Sequence, residues 1–368
     1  MMRVPYVDFP AQFASERKLL LAVIDHSLAG GAWILGEEVE SFESNLARHC
    51  STRFAIGVAN GTDALVLSLK ALGIGPGDEV LTVPNSFVAT AASIALVGAR
   101  PVFVDVRHDQ LMDPSLLERL VTRRTKAIIP VHLTGKICDM APILAFAKER
   151  GLPVVEDAAQ ALGAKYRGRP AGSFGRLAAF SFHPLKNLNA AGDAGAIVTD
   201  DPALAEKLSL LRNHGLQSRD KALFWGHNSR LDAVQAAILN FRLGNLSKIV
   251  ARRREIARLY RQALAGVVEC PEDGRGSFDT YHLFVIQTDR RDELQSFLKK
   301  RGISTAIHYP LPIHLQPAAA NLGYRPGDLP EAERQAGRIL SLPVHQHLKP
   351  SQVEHVAQSI LRFYRGKG

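Results

Sequence analysis

Pro153-Val154-Val155-Glu156-Asp157-Ala158-Ala159-Gln160 is a short apolar run that ends in two acids. Its composition suits a strand buried on both faces, which leaves the Asp157 carboxylate at the strand's C-terminal end. Six more runs of this kind lie at 54–59, 79–83, 101–106, 126–131, 178–182 and 195–199. Helical patterns intervene near 62–72, 86–97, 115–122 and 139–150, and the last two runs are joined without an obvious helix. This alternation predicts an α/β fold, a mostly parallel seven-stranded sheet covered on both faces. Ligands of such sheets bind beyond the carboxyl ends of the strands. Attention therefore falls on Asp157 and on the turn after the run at 178–182.

That turn reads Ser181-Phe182-His183-Pro184-Leu185-Lys186-Asn187-Leu188, followed by Ala191-Gly192-Asp193-Ala194-Gly195. An amine in a hydroxyl-bearing turn, beside a strand-end carboxylate, suits pyridoxal 5'-phosphate. That cofactor needs a lysine to hold its aldehyde as a Schiff base and an acid beside its pyridine nitrogen. Taken singly, Asp157 also reads as a cap on the next turn and Lys186 as a surface lysine. Together with Gln160 and Ser181 they favour the cofactor. Asn60-Gly61-Thr62-Asp63-Ala64 joins a strand to a helix and reads either as a phosphate seat at a helix N-terminus or as a plain N-cap. Phe87, in Pro84-Asn85-Ser86-Phe87-Val88-Ala89-Thr90, reads as a ring-stacking aromatic or as core. Gly73-Ile74-Gly75-Pro76-Gly77-Asp78 is no dinucleotide fingerprint, because it follows a helix and lacks the last glycine.

The remaining composition narrows the function classes. Of 368 residues, 46% are hydrophobic and 22% charged, ordinary for a globular chain. Lys plus Arg number 45 against 36 Asp plus Glu, a net charge of +9. The basic residues are dispersed, which points to an anionic small molecule, with no nucleic acid expected. Arg252-Arg253-Arg254 falls in a helical pattern with Ile256, Leu259 and Tyr260 and reads as a solvated helix face. Cys50, Cys138 and Cys270 make neither a disulfide framework nor a zinc pattern, which suits the cytoplasm. Met1 to Asp8 is not a signal peptide, and no apolar run approaches the ~20 residues of a membrane span. His308 and His314, or His345 and His347, lack Cys or acidic partners at ligand spacing, so no metal is expected.

Residues 15–29 read as an amphipathic helix stopped by Gly30-Gly31. Beyond 200, helical patterns cover 202–212 and 231–264. A strand at 281–287, a helix at 291–301, a His/Pro-rich segment at 307–317 and a last helix at 350–364 follow. This suggests a large domain over 1–245 and a smaller α/β domain over 246–368.

In combination, these motifs resemble the DegT/DnrJ-type nucleotide-sugar aminotransferases, pyridoxal-phosphate enzymes of fold type I with an aspartate-aminotransferase-like architecture. The resemblance runs from Trp33-Ile34-Leu35-Gly36 to Leu342-Pro343. It rests on Glu156 to Gln160, Ser181 to Asn187, Gly192 to Gly195, Arg212-Asn213-His214-Gly215 and Asn228-Ser229-Arg230-Leu231. It implies that Gly61, Thr62 and Ser181 hold the phosphate, that Phe87 stacks on the ring, and that Asp157 pairs with the pyridinium. Gln160 would hydrogen-bond the phenolic oxygen, and Lys186 would be the Schiff-base lysine. Asn228 would reach the phosphate of a neighbouring subunit, making a homodimer with shared active sites. His183, His308, Tyr309 and His314 would face the nucleotide sugar.

The implied reaction moves an amino group from an amino acid, expected to be L-glutamate, to a keto sugar, with pyridoxamine 5'-phosphate as the intermediate cofactor form. The segments Asn228 to Asp232 and Tyr281 to Val285 look most like enzymes aminating C3 of dTDP-3-keto-6-deoxyhexoses. Two alternatives remain: C4 amination of a UDP- or dTDP-4-keto sugar, and a non-transaminating, regulatory cofactor-binding protein on the same fold. Leu185 and Asn189 depart from the family pattern. Lys186 itself favours transamination, since relatives that dehydrate sugars carry histidine there.

Overall fold

All seven apolar runs are strands in a computed structural model of the chain, which describes residues 2–274 and 276–366. They are β1 (Phe54–Val58), β2 (Glu79–Thr82), β3 (Arg100–Phe103), β4 (Thr125–Ile128), β5 (Val155–Asp157), β6 (Leu177–Ser181) and β7 (Gly195–Thr199). Two ladders, β3-β2-β4 and β5-β6-β7-β1, are joined by parallel bridges Ile128–Val154 and Val131–Asp157. The sheet order is therefore 3-2-4-5-6-7-1. Only β7 runs against its neighbours β6 and β1. This fits the chain: β6 returns as β7 through the Lys186 turn without a helix, and a parallel return usually crosses over through one.

The strands alternate between two cores. Ile56, Val58, Val80, Ala127, Ile129, Leu177, Ala179 and Ile197 pack on one face with Leu65 and Leu69 of α3 (Gly61–Ala71) and Leu208. Ala55, Leu81, Ile128, Ala178, Phe180 and Val198 face the other way, toward Phe42 and Leu46 of α2 (Glu37–Cys50) and Leu239. Burial on both faces is why these strands read as continuous apolar runs. The second core also draws in Leu246, Val250, Ile313 and Leu329 from the C-terminal third.

A third core gathers Ile256, Tyr260, Phe284, Ile286, Leu298, Leu340, Leu342, Val356 and Ile360, together with Val4 from the N-terminus. Its strands Phe284–Gln287 and Ile339–Leu342 pair antiparallel. The helical pattern over 231–264 is two helices, Ala233–Leu243 and Leu246–Leu264, parted at Gly244-Asn245. The expected strand at 281–287 begins only at Phe284, because Tyr281 takes a left-handed φ of 47°. Arg252-Arg253-Arg254 is not a wholly solvated face. Arg253 is 6% exposed, and its Nη1 donates to the carbonyls of Tyr281 and His282. Among the described residues no helix is long and apolar enough to cross a membrane.

Candidate active site

The C-terminal ends of β1, β2, β5 and β6 bring four segments together. At β5 the Asp157 carboxylate is buried; its Oδ2 accepts from the Thr90 hydroxyl at 2.7 Å and its Oδ1 from the Ala159 N–H at 3.2 Å. Thr90 lies in α4 (Ala89–Leu96), and its hydroxyl also pairs with that of Ser86 at 2.6 Å. The Ser86/Thr90 spacing is one helical turn, a signal present in the sequence but passed over for Phe87. Gln160 accepts from the Thr134 N–H at 2.7 Å through Oε1, and its side chain also lies within hydrogen-bonding reach of the Tyr309 phenol.

After β6 the chain folds into a tight turn. The Lys186 N–H donates to the His183 carbonyl at 2.8 Å, and Ala190 N–H donates back to Phe182 O at 2.8 Å. Asn189 fastens this turn: its amide donates to Pro184 O at 2.7 Å and its Oδ1 accepts from Gln12 at 3.0 Å. Gln12 belongs to α1 (Phe9–Ala29). Lys186 is half-buried. Burial lowers its amine to about 8, and the Asp157 carboxylate opposes the shift. Asp157 also acts on the Tyr309 phenol, whose pKa is raised mainly by burial.

The α3 N-terminus closes the third side. Asn60 caps it by accepting from Asp63 N–H at 2.8 Å, so the amides of Gly61 and Thr62 have no helical acceptor. Gly61 lies against Ser181: a Cβ there would stand 2.6 Å from the Ser181 Cβ. Asn60 is thus the cap, and two amides without helical acceptors lie beside the Ser181 hydroxyl. The Gly61→Ala variant should lose about 1–3 kcal/mol to the clash and open the gap between α3 and Ser181. A lowered melting temperature together with roughly tenfold weaker cofactor binding in a fluorescence titration is the expected outcome.

Phe87 is 54% exposed, its ring centroid 5.9 Å from that of Tyr309, so the sequence's core alternative for it does not apply. His308 bonds Ser341 at 2.9 Å and stacks on Tyr6. His183 is exposed above the lysine turn. His314 is elsewhere: it is buried, bonds Glu333 at 3.0 Å and packs on Phe103 and Tyr324. Asn228 is exposed, its backbone bridged to Asn213, while the adjacent Ser229 donates to Asp63 of its own chain at 2.6 Å.

Residues 15–361 match the DegT/DnrJ/EryC1/StrS aminotransferase family. The chain belongs to that family. It is 45% identical to a pleiotropic regulatory protein of Geobacillus stearothermophilus, over 99% of each chain. It is 44% identical to the dTDP-3-amino-3,4,6-trideoxy-alpha-D-glucose transaminase of Streptomyces venezuelae, over 97% of this chain and 95% of the relative. Among solved structures, S. venezuelae DesV in complex with a ketimine intermediate superposes with a TM-score of 0.97, at 44% identity and full coverage of both chains. The fold expected of the family is thus the fold observed.

Proposed function

We propose that this family member uses pyridoxal 5'-phosphate to move an amino group from an amino acid, L-glutamate first, to a keto sugar carried on a nucleoside diphosphate. The observation that carries the reading is the desolvated Lys186 amine within the field of the buried Asp157 carboxylate. The residues present fit the cofactor. The Gly61 and Thr62 amides and the Ser181 hydroxyl would seat its phosphate, with Asp63 of the same turn held by Ser229, and a Cβ at Gly61 would press on Ser181. Phe87 offers an exposed face for its ring, and the Gln160 side chain, oriented by Thr134, would serve its phenolic oxygen.

When bound, the cofactor supplies an electron sink and carries the amine between the two half-reactions. The chain's part is acid–base and positional. Lys186 Nζ would hold the cofactor's aldehyde and, once freed, would carry a proton between the substrate carbon and the cofactor. An amine lowered to about 8 suits both directions of that transfer better than one of ordinary basicity. Asp157, fixed by Thr90 and Ala159, would hold a proton on the pyridine nitrogen. Tyr309 and Phe87 narrow the entrance, and His183 and His308 stand on the sugar side.

The sugar is read as a dTDP-3-keto-6-deoxyhexose, converted to its 3-amino form. Asn228 is assigned to the phosphate of a second copy, in a homodimer with shared sites. Its exposure, and that of Trp33, Ile34 and Trp225, supports this. A division of the chain at 245/246 and residence in the cytoplasm, consistent with three free cysteines, belong to the same proposal.

The test incubates purified protein with L-glutamate and each keto sugar. Amino sugar and 2-oxoglutarate are expected from the 3-keto substrate. Product from 4-keto sugars only would move the reaction to C4. A protein that binds the cofactor but forms no 2-oxoglutarate with any sugar would be the regulatory alternative, which the name of the Geobacillus relative motivates.

A further inference from the structure

Behind the lysine turn lies a small, partly open pocket of about 40 Å³, walled by Leu185, Tyr6, Arg253, His282, His308 and His345 among others. Its polar wall is cationic or neutral. Arg253 is 6% exposed, His282 7% and His345 3%. Arg253 takes part in no ion pair among the described residues; it donates to carbonyls of Tyr281 and His282 and, weakly, to Gln346. Among the described residues three polar side-chain atoms around the cavity have no partner, Arg253 Nε, His282 Nδ1 and His345 Nδ1, and the buried Tyr6 hydroxyl has Ser341 as its one near neighbour.

A guanidinium buried without an acid, beside three imidazoles, is costly unless something anionic joins it. Desolvation lowers Arg253 to about 10 and both His308 and His345 to about 4. It lowers His282 well below the ordinary value, with Lys186 and Arg253 adding to the effect. Asp8, the acid acting on His345, is engaged as the cap of α1, accepting from Ala11 N–H at 3.0 Å. The volume holds a carboxylate or about three waters.

We propose that this cavity is a carboxylate subsite for the amino-acid donor, one wall of which is the residue preceding Lys186. The inference rests on the aminotransferase reading of Lys186 and deepens it by naming where a dicarboxylic donor such as glutamate is gripped. Arg253 Nε, His282 Nδ1 and the Tyr6 hydroxyl are its donors. Val4, two residues before Tyr6, is pinned in the third core and pairs with Gly302, so the N-terminal segment forms the lid of the cavity.

The test uses the holoenzyme and glutarate, a dicarboxylate with no amine to transfer. Glutarate should raise the melting temperature and compete with L-glutamate. Tyr6→Phe removes one oxygen and keeps the stack on His308. His282→Asn keeps a polar side chain. Each should weaken glutarate binding, read by calorimetry, by about tenfold, with dTDP binding unchanged. Unchanged glutarate affinity in both variants overturns the proposal. So does equal protection by inorganic phosphate that the variants lose in parallel, which would mark an unspecific anion hole. So does a glutarate-soaked crystal with only water in the cavity. Amine transfer from glutamate that survives these results leaves the function standing and the subsite refuted. Glutarate binding lost in the variants of a protein that forms no amino sugar does the opposite.

Discussion

Lys186→Ala should lower amine transfer roughly 10³-fold or more while the protein remains folded. The turn around Lys186 is fastened by groups other than its side chain: the His183 and Phe182 carbonyls, the Asn189 amide and its link to Gln12. Truncating a half-buried lysine there also removes an amine that burial disfavours, so the melting temperature should hold or rise. What disappears is the group that holds the aldehyde and moves the proton. Wild-type protein should show a visible absorption band that L-glutamate bleaches, and borohydride should fix the cofactor to the chain. In the variant borohydride should fix nothing, although cofactor still binds through the Gly61, Thr62 and Ser181 seat. Lys186→Arg should not restore turnover, because a guanidinium stays protonated and cannot act as a base. Full activity and continued borohydride fixation in Lys186→Ala would remove Lys186 from the chemistry.

The parts of this molecule visible in the sequence are those built from local pattern. Strands buried on both faces are short apolar runs, and each of the seven appears where such a run stands. The reversal of β7 was visible only as a missing helix between two runs. The break at Gly244-Asn245 carries a glycine signal, but the apolar stripe on either side reads through it. Site residues next to a strand end were legible because the α/β architecture fixes where such ends converge. Residues whose role depends on a distant partner were not. His314 looks like part of a polar loop until Glu333 and the Tyr324 ring enclose it. Arg253 looks like one third of a solvated triplet until the carbonyls of Tyr281 and His282 take it inside. Tyr6, His282 and His345 lie far apart in the chain, and no spacing rule connects them.

Glu156→Ala should destabilise the fold by about 3–5 kcal/mol, the cost of leaving buried partners of a charged group unsatisfied. Glu156 precedes Asp157 on β5 but points to the opposite face, where neither carboxylate oxygen meets solvent. Its Oε1 accepts from the N–H groups of Phe174 and Gly175, both at 2.7 Å. Its Oε2 accepts from Gly172 N–H and His132 Nε2–H, both at 2.9 Å. The tautomer of His132 follows from its other nitrogen, which accepts from Cys138 N–H at 3.3 Å. Four donors converge on one buried carboxylate, so glutamine is no isostere here: its amide group would point two hydrogens at two donors. Glu156→Gln should therefore cost nearly as much as alanine, and the drop in melting temperature should be on the order of 10 °C.

The pH dependence has a definite sign. Burial acts to raise the Glu156 pKa, and the bonds from His132 and the backbone outweigh it, so the folded value lies below the ordinary 4.5. A depressed carboxyl contributes stability above its unfolded pKa and loses it as pH falls through the folded value. The wild-type advantage over Glu156→Gln should thus be constant near neutrality and shrink below about pH 4.5, followed by denaturant unfolding at several pH values. The cofactor site should suffer in step. The same carboxylate ties the 172–175 loop and, through His132 and Cys138, the segment containing Thr134, whose N–H orients Gln160. A variant that kept wild-type stability at neutral pH would mean that β5 is positioned by its apolar neighbours alone and that Glu156 is replaceable.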